Sequence, residues 1–187
     1  MTSKRSLPAV RATKIHTHDF EGFGASRPPA PDAVGTASAR LGEAENRTSA
    51  RVISFRFVPG ATADDLRYAV GGAPDGLVLE CYGSGSGPVD RPGMAEALSE
   101  IAAALPVVAI TQCRTGGVDL GRYAVGRRLA QCGVIEGGDM TLKAAIAKLG
   151  YALDRGAEGD ELREVMRLNL VGERTSHTSE SRHAAWS

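Results

Sequence analysis

Hydrophobic and polar positions fall into strand-like runs and helix-like stripes that alternate along the chain from residue 52 onward. Val52-Ile53-Ser54-Phe55-Arg56-Phe57-Val58 is β-branched and aromatic and is stopped by Pro59-Gly60, which predicts a strand. Thr62 then stands where an N-cap belongs. Asp64 and Asp65 occupy the positive first turn, so a short helix should follow and end at Gly71-Gly72. Residues 76–82, GLVLECY, predict a second strand that empties into Gly83-Ser84-Gly85-Ser86-Gly87-Pro88. Asp90 is the expected cap of the next helix, with Pro92 near its start, where a missing N–H costs nothing. Met94, Leu98, Ile101 and Leu105 then share one helical face. Val107-Val108-Ala109-Ile110 reads as a strand covered on both sides. A helix is expected over residues 123–131 and a short strand at Cys132-Gly133-Val134-Ile135. Next comes a helix capped by Asp139 or Thr141, striped by Leu142, Ala145, Ile146 and Leu149, and ended by Gly150 or Gly156. The last helix spans residues 160–170, with Leu162, Val165, Met166 and Leu170 inward.

Strand–helix alternation at this spacing calls for right-handed crossovers. The expected class is α/β, a three-layer Rossmann-like domain with a parallel sheet of about four strands and helices on both faces. That domain should occupy residues 52–175. Residues 1–51 carry Pro28, Pro29 and Pro31 and no hydrophobic period, so they read as a loosely ordered arm and linker with a short structured piece near residues 12–23. Residues 176–187 read as a disordered tail.

Composition narrows the function classes. Lys plus Arg and Asp plus Glu number 22 each, so no net field favours nucleic acid or an anionic membrane. Aromatic residues make up 5%, too few to suggest base-stacking surfaces. The three cysteines, Cys81, Cys113 and Cys132, form neither an even disulfide framework nor a CxxC pair. The first residues are basic without the apolar stretch of a signal peptide, and no apolar run reaches membrane-span length. A reducing, cytoplasmic location is expected.

Candidate chemistry gathers where the strands end. In open parallel sheets, ligands sit beyond the carboxyl ends of the strands, and the polar loop Thr111-Gln112-Cys113-Arg114-Thr115-Gly116-Gly117 lies there, as either a binding edge or an ordinary surface connection. The glycine loop at 83–87 is placed like a phosphate cradle, but Pro88 stands where a GxGxxG pattern needs its third glycine. His16-Thr17-His18-Asp19 has metal-like residues and no further Cys or His beside it to complete a ligand set. No serine–histidine–acid order or GxSxG elbow occurs, and no histidine is placed to activate Cys113. No catalytic residue, metal site or cofactor is therefore assigned.

Several segments together resemble the C-terminal domain of the asparaginase/glutaminase family, most like the cytoplasmic bacterial type I L-asparaginases. FVPGATADDLR (57–67) resembles the family's strand, Pro-Gly and short helix. GLVLECYGSGSGP (76–88) resembles its strand followed by YGxGNxP, and TQCRTGGVDLGRYAVG (111–126) its TQC-x-x-G-x-V loop. GVIEGGDMTLKAAIAKLGYAL (133–153) resembles the family's GVI-x-G-x-DMT segment, and NLVGERT (169–175) its closing N-L-x-G-E-x-T. ATKIHTHDFEGFGASRPPAP (12–31) resembles the end of the family's N-terminal domain.

The resemblance implies hydrolysis of L-asparagine to L-aspartate and ammonia, by threonines on TGGTI-type and TDT-type loops of the N-terminal domain. Neither motif occurs in this sequence, so the chain is expected to be inactive alone, either as a fragment of a split or truncated gene or as one half of a two-polypeptide enzyme that partners a separate asparaginase N-terminal domain. In an intact enzyme the resemblance also implies a homo-oligomer, with the YGxGNxP loop completing a neighbour's pocket. Ser86 replaces the asparagine of that loop, which removes a carboxamide able to donate and accept. Ser86, Thr111, Gln112 and Cys113 are accordingly the expected residues lining a substrate or regulatory-effector pocket for L-asparagine or a similar small amide. Alternative readings are a non-catalytic amino-acid-binding module and an asparaginase-related amidotransferase subunit. The latter would need an RNA-binding partner and a basic face.

Overall fold

A computed structural model of the chain describes residues 7–19, 22–25 and 49–175. The expected disordered tail at 176–187, and residues 1–6, 20–21 and 26–48 of the expected arm, lie outside the described residues. Within that arm, β1 (Ala12–Lys14) and β2 (Phe23–Ala25) pair antiparallel with Thr13 opposite Gly24. The main body then runs β3 (Val52–Arg56), α1 (Ala63–Val70), β4 (Gly76–Cys81), α2 (Met94–Ala104), β5 (Val107–Thr111), α3 (Ala124–Gln131), β6 (Ile135–Glu136), α4 (Leu142–Asp154) and α5 (Gly159–Arg167).

The four strands form one parallel sheet in the order β3-β4-β5-β6. A sheet that grows in one direction through right-handed crossovers must put every crossover helix on the same face. Side-chain alternation matches this. Leu77, Leu79 and Cys81 of β4 and Val107 and Ala109 of β5 pack with Leu66 of α1, Met94, Leu98 and Ile101 of α2, and Leu129 of α3. The intervening residues Val78, Val108 and Ile110 pack on the opposite face, against Ala145 and Leu149 of α4 and Leu162, Val165 and Met166 of α5. All of β5 is buried, as a strand covered on both sides requires. The fold is the three-layer α/β arrangement that the sequence predicts.

Local chemistry sets the boundaries. Thr62 and Asp65 form a reciprocal capping box at the start of α1, with Thr62 N donating to Asp65 Oδ2 at 2.9 Å and Asp65 N donating to Thr62 Oγ1 at 3.2 Å. Asp90 does not cap α2. Arg91 N bonds Pro88 O and Met94 N bonds Arg91 O, so two tight turns delay the helix until Gly93, at φ +74°, takes the cap position. The Asp90 carboxylate pairs with Arg128 of α3 instead. The fourth strand begins later than the sequence suggests. Gly133, at φ +91°, turns the chain out of α3, and pairing starts only at Ile135. Of the two candidate caps for α4, Thr141 is the one used, its Oγ1 accepting from Ala144 N at 3.2 Å. The helix runs straight through Gly150 and ends before Gly156, which adopts φ +76°. α5 stops at Arg167, and Leu170 reaches the core from the segment beyond it.

Candidate functional site

The carboxyl ends of β4, β5 and β6 deliver three loops to one edge of the sheet, and these loops are built against one another. After β4 the chain curls back on itself. Tyr82 N donates to Ser86 O at 2.8 Å, while Gly85 N and Ser86 N both donate to Tyr82 O. Gly85 adopts φ +109°, and a Cβ there would lie 2.9 Å from Val118 Cγ1 and 3.0 Å from Leu120 Cδ2. Glycine is needed here both for the backbone angle and for the close approach of the loop after β5. That second loop is tied in on both sides: Asp119 N donates to Ser84 O at 3.0 Å and Val118 N to Gly138 O at 2.8 Å. Leu120 N donates to Glu136 Oε2 at 3.0 Å.

The four residues expected to line a pocket all fall on this edge, at the ends of two adjacent strands. Cys81 and Thr111 are register partners, and Gln112 N donates to Cys81 O at 2.9 Å. The side chains of Ser86, Thr111 and Gln112 are already engaged. Ser86 Oγ donates to Tyr82 O at 3.1 Å, and the buried Thr111 Oγ1 accepts from Cys113 N at 3.0 Å. Gln112 Nε2 donates to Phe57 O at 2.7 Å and to Glu80 O at 2.9 Å, which clamps the ends of β3 and β4 together. A carboxamide nitrogen has two hydrogens, so these bonds use both and leave Oε1 as the amide atom not spent on the clamp. The Cys113 side chain is exposed, and none of the three cysteines is in a disulfide. Burial pushes the Cys81 thiol up to about 12, so it is a neutral core group.

The histidine pair lies elsewhere, in the exposed turn of the β1–β2 hairpin. His16 Nδ1 accepts from His18 N at 3.2 Å and Asp19 N at 2.9 Å. Among the described residues no cluster of three or more His, Cys, Asp or Glu could hold a metal ion. Among them, too, no helix is long and apolar enough to cross a membrane.

Behind the edge runs a set of buried ions that hydropathy did not single out. Arg11 is fully buried, with Nε donating to Gly172 O at 2.6 Å and Nη1 to Asp139 Oδ2 at 2.9 Å. Asp139 also accepts from Thr175 N at 2.8 Å and from Thr175 Oγ1 at 2.6 Å. Partial burial works to raise the Asp139 carboxyl, but the two Thr175 bonds and the Arg11 charge outweigh it and hold the group below its ordinary range. Arg174 bonds Glu136 Oε1 at 3.1 Å and Met166 O at 2.9 Å. Lys148 and Glu173 form an ion pair at 2.7 Å with each side chain 3% exposed. Glu173 accepts further bonds from Leu170 N and Val171 N. These contacts fold the NLVGERT segment onto the 137–141 loop, which in turn backs the loop after β5. The available signal was the concentration of charges in otherwise apolar stretches: Glu136, Asp139, Lys148, Glu173 and Arg174.

Comparison with known proteins gives this edge its context. The glutaminase/asparaginase C-terminal domain family matches residues 51–166. An L-asparaginase of Thermococcus kodakarensis is 37% identical over 176 residues, covering 89% of this chain and 53% of the relative. L-asparaginase 1 of Escherichia coli strain K12 is 34% identical over 176 residues, covering 88% of this chain and 52% of the relative. The structure of the thermostable Thermococcus kodakarensis L-asparaginase superposes with a TM-score of 0.73 at 36% identity, over 90% of this chain and 54% of that one. L-asparaginase I of Vibrio cholerae gives a TM-score of 0.75 at 27% identity, over 94% and 56%. The chain thus spans about half the length of the curated relatives it matches. With fold, motifs and sequence in agreement, the chain belongs to the glutaminase/asparaginase family and carries that family's C-terminal domain.

Proposed function

We propose that this chain works as the C-terminal half of an L-asparaginase-type amidohydrolase. The reaction takes the side-chain amide of L-asparagine and water to L-aspartate and ammonia, with the threonine nucleophile supplied by an N-terminal domain. The observation that carries this reading is the match to L-asparaginases over nearly the whole chain, in sequence and in structure. The carboxyl edge suits a lining role. Thr111 ends β5, and Ser86, Gln112 and Cys113 sit on two interlocked loops of that edge, where the four would shape a pocket for a small amide or an amino-acid effector. They are not arranged as a nucleophile with a base, since the Ser86 hydroxyl donates to a carbonyl and Thr111 Oγ1 accepts from a backbone N–H. Assembly as a homo-oligomer in an intact enzyme, and a cytoplasmic setting in which the three thiols stay reduced, belong to the same reading.

Ammonia release from L-asparagine and L-glutamine by the purified chain tests it. No turnover above buffer is expected from the chain alone, and enzymatic rates would overturn the assignment of the nucleophile to another domain. Calorimetry with L-asparagine is expected to show no heat. A saturable signal would favour the amino-acid-binding module instead.

A further inference from the structure

The backbone N–H groups of Val118, Asp119 and Leu120 fix the middle of the loop after β5. Two of the three end on one short stretch of chain: Val118 N donates to Gly138 O at 2.8 Å and Leu120 N to Glu136 Oε2 at 3.0 Å, while Asp119 N goes to Ser84 O. Burial of the Val118 and Leu120 side chains holds the loop on the core, but an apolar contact has no direction and leaves the backbone to these bonds. Residues 136–138 therefore set where the loop lies. The strand that delivers them, β6, is only two residues long, too short to place them by its own ladder.

Arg174 supplies the missing support. Its side chain is 6% exposed. Nη2 donates to Glu136 Oε1 at 3.1 Å, and Nη1 donates to Glu136 O at 3.2 Å and to Met166 O at 2.9 Å. Glu136 thus spends one carboxylate oxygen on the loop and the other on Arg174. The guanidinium also packs on Gly138, where a Cβ would stand 2.9 Å from Nε and 3.0 Å from Cζ. Gly138 in turn abuts the loop, since a Cβ on Gly117 would stand 2.8 Å from Gly138 C and O. The segment carrying Arg174 is seated independently, Glu173 on Lys148 and Thr175 on Asp139. A continuous path of bonds runs from that segment through Arg174 and Glu136 to Leu120, and from Asp119 to the loop holding Ser86. Glu136 and Arg174 both stand at positions that the family motifs GVI-x-G and N-L-x-G-E-x-T leave open, so the pair belongs to this sequence rather than to the motifs.

From this we infer that Arg174, acting through Glu136, is a positioning residue for the strand-end edge, so that the loops carrying Ser86 and Cys113 keep their shape only while the segment 169–175 is seated. The edge and that segment loosen as one unit, apart from the sheet beneath them. What the edge binds rests on the proposed function; the coupling does not.

Hydrogen exchange of the full chain, read amide by amide under native conditions, tests the coupling. It uses no ligand, so its failure and that of the proposed function are distinguishable. Arg174→Met, Arg174→Lys and Glu136→Gln are compared with wild type and with Leu66→Ala, a truncation of the buried core on the α1 side of the sheet. Arg174→Met is expected to speed exchange at the Val118 and Leu120 N–H groups by about tenfold or more beyond any change at Leu79 and Ala109 in the sheet. Arg174→Lys keeps the charge, but one compact ammonium cannot reproduce the guanidinium fork that spans Glu136 and Met166, so it should restore only part of the protection. Glu136→Gln keeps an acceptor for Leu120 N and should change that amide least. Leu66→Ala, which weakens the core without touching the brace, should raise exchange in the sheet instead. Should Arg174→Met not fold, as a thermal melt would show, Arg174→Lys carries the comparison. Loop amides that exchange at the wild-type rate in every folded Arg174 variant, or that rise only in step with the sheet, overturn the inference.

Discussion

The buried Lys148–Glu173 pair allows the sharpest energetic prediction. Lys148→Met keeps the volume and the apolar stem, so what changes is the charge. Glu173 then stays in a site where its side chain is 3% exposed, holding only the N–H groups of Leu170 and Val171. Breaking one partner out of a buried pair typically costs about 3–5 kcal/mol, and the retained N–H bonds place this case near the lower end, at about 3 kcal/mol. For a protein of this size that is a melting-temperature drop of roughly 6–12 °C. Glu173→Gln keeps an acceptor for the two N–H groups but points an amide at the ammonium, at about 1–3 kcal/mol. The double variant removes both charges and should recover about 1–2 kcal/mol relative to the sum of the singles. Burial works to raise the Glu173 carboxyl, but Lys148 and the backbone N–H groups prevail and hold it below its ordinary value. A depressed folded pKa gives stability that is present above the unfolded value, about 4.3, and is lost as pH falls through the folded one. The gap between wild type and Lys148→Met should therefore narrow on acidification in that window. Urea denaturation followed by circular dichroism, at neutral pH and along an acid series, measures all of this. Strict additivity of the two substitutions, or a gap that widens in acid, would refute the reasoning.

Three further outcomes follow from the geometry. Gly85→Ala combines a backbone angle of φ +109° with contacts to Val118 and Leu120 at 2.9 and 3.0 Å, so a loss of about 2–4 kcal/mol is expected in the urea midpoint. Asp139→Asn should cost about 1–3 kcal/mol at neutral pH by weakening the Arg11 and Thr175 contacts. Because the Asp139 carboxyl is held low in the folded state, the variant should also show a shallower acid limb than wild type, and an unchanged slope would count against the Arg11 latch. A thiol reagent at mildly alkaline pH should react rapidly with Cys113 alone, Cys81 and Cys132 becoming available only in denaturant; fast reaction of a second thiol in the native state would contradict the packing.

Much of the fold was legible because its signals are local. The continuous apolar runs of β4 and β5 announce strands buried on both sides, and Thr62 with Asp65 announces the start of α1. Where the reading slipped, a second local force competed. Pro88 and Pro92 build turns that keep Asp90 from capping α2, and the left-handed Gly133 postpones β6. The candidate edge was also legible, since strand-end loops rich in glycine and polar residues are where open sheets place ligands. What those side chains do there was not. Gln112 spends its amide on carbonyls 55 and 32 positions away, contacts that no window along the sequence can register. The buried ions escaped for a related reason: a hydropathy pattern assigns charge to the surface, and only the fold reveals that Arg11 and Glu173 are enclosed.

The Arg11 latch also has a topological consequence. Its bond to Gly172 O closes the described domain across 161 positions, and its Nη2 lies 3.5 Å from Thr175 Oγ1. The first and last described segments are thus neighbours in space, joined by a non-covalent ring closure. A domain with adjacent ends can be circularly permuted: a short linker can join the segments at Arg11 and Thr175, and new ends can be opened at the exposed Gly71-Gly72 turn. The same adjacency lets the domain be carried by, or inserted into, another polypeptide without its sheet being disturbed.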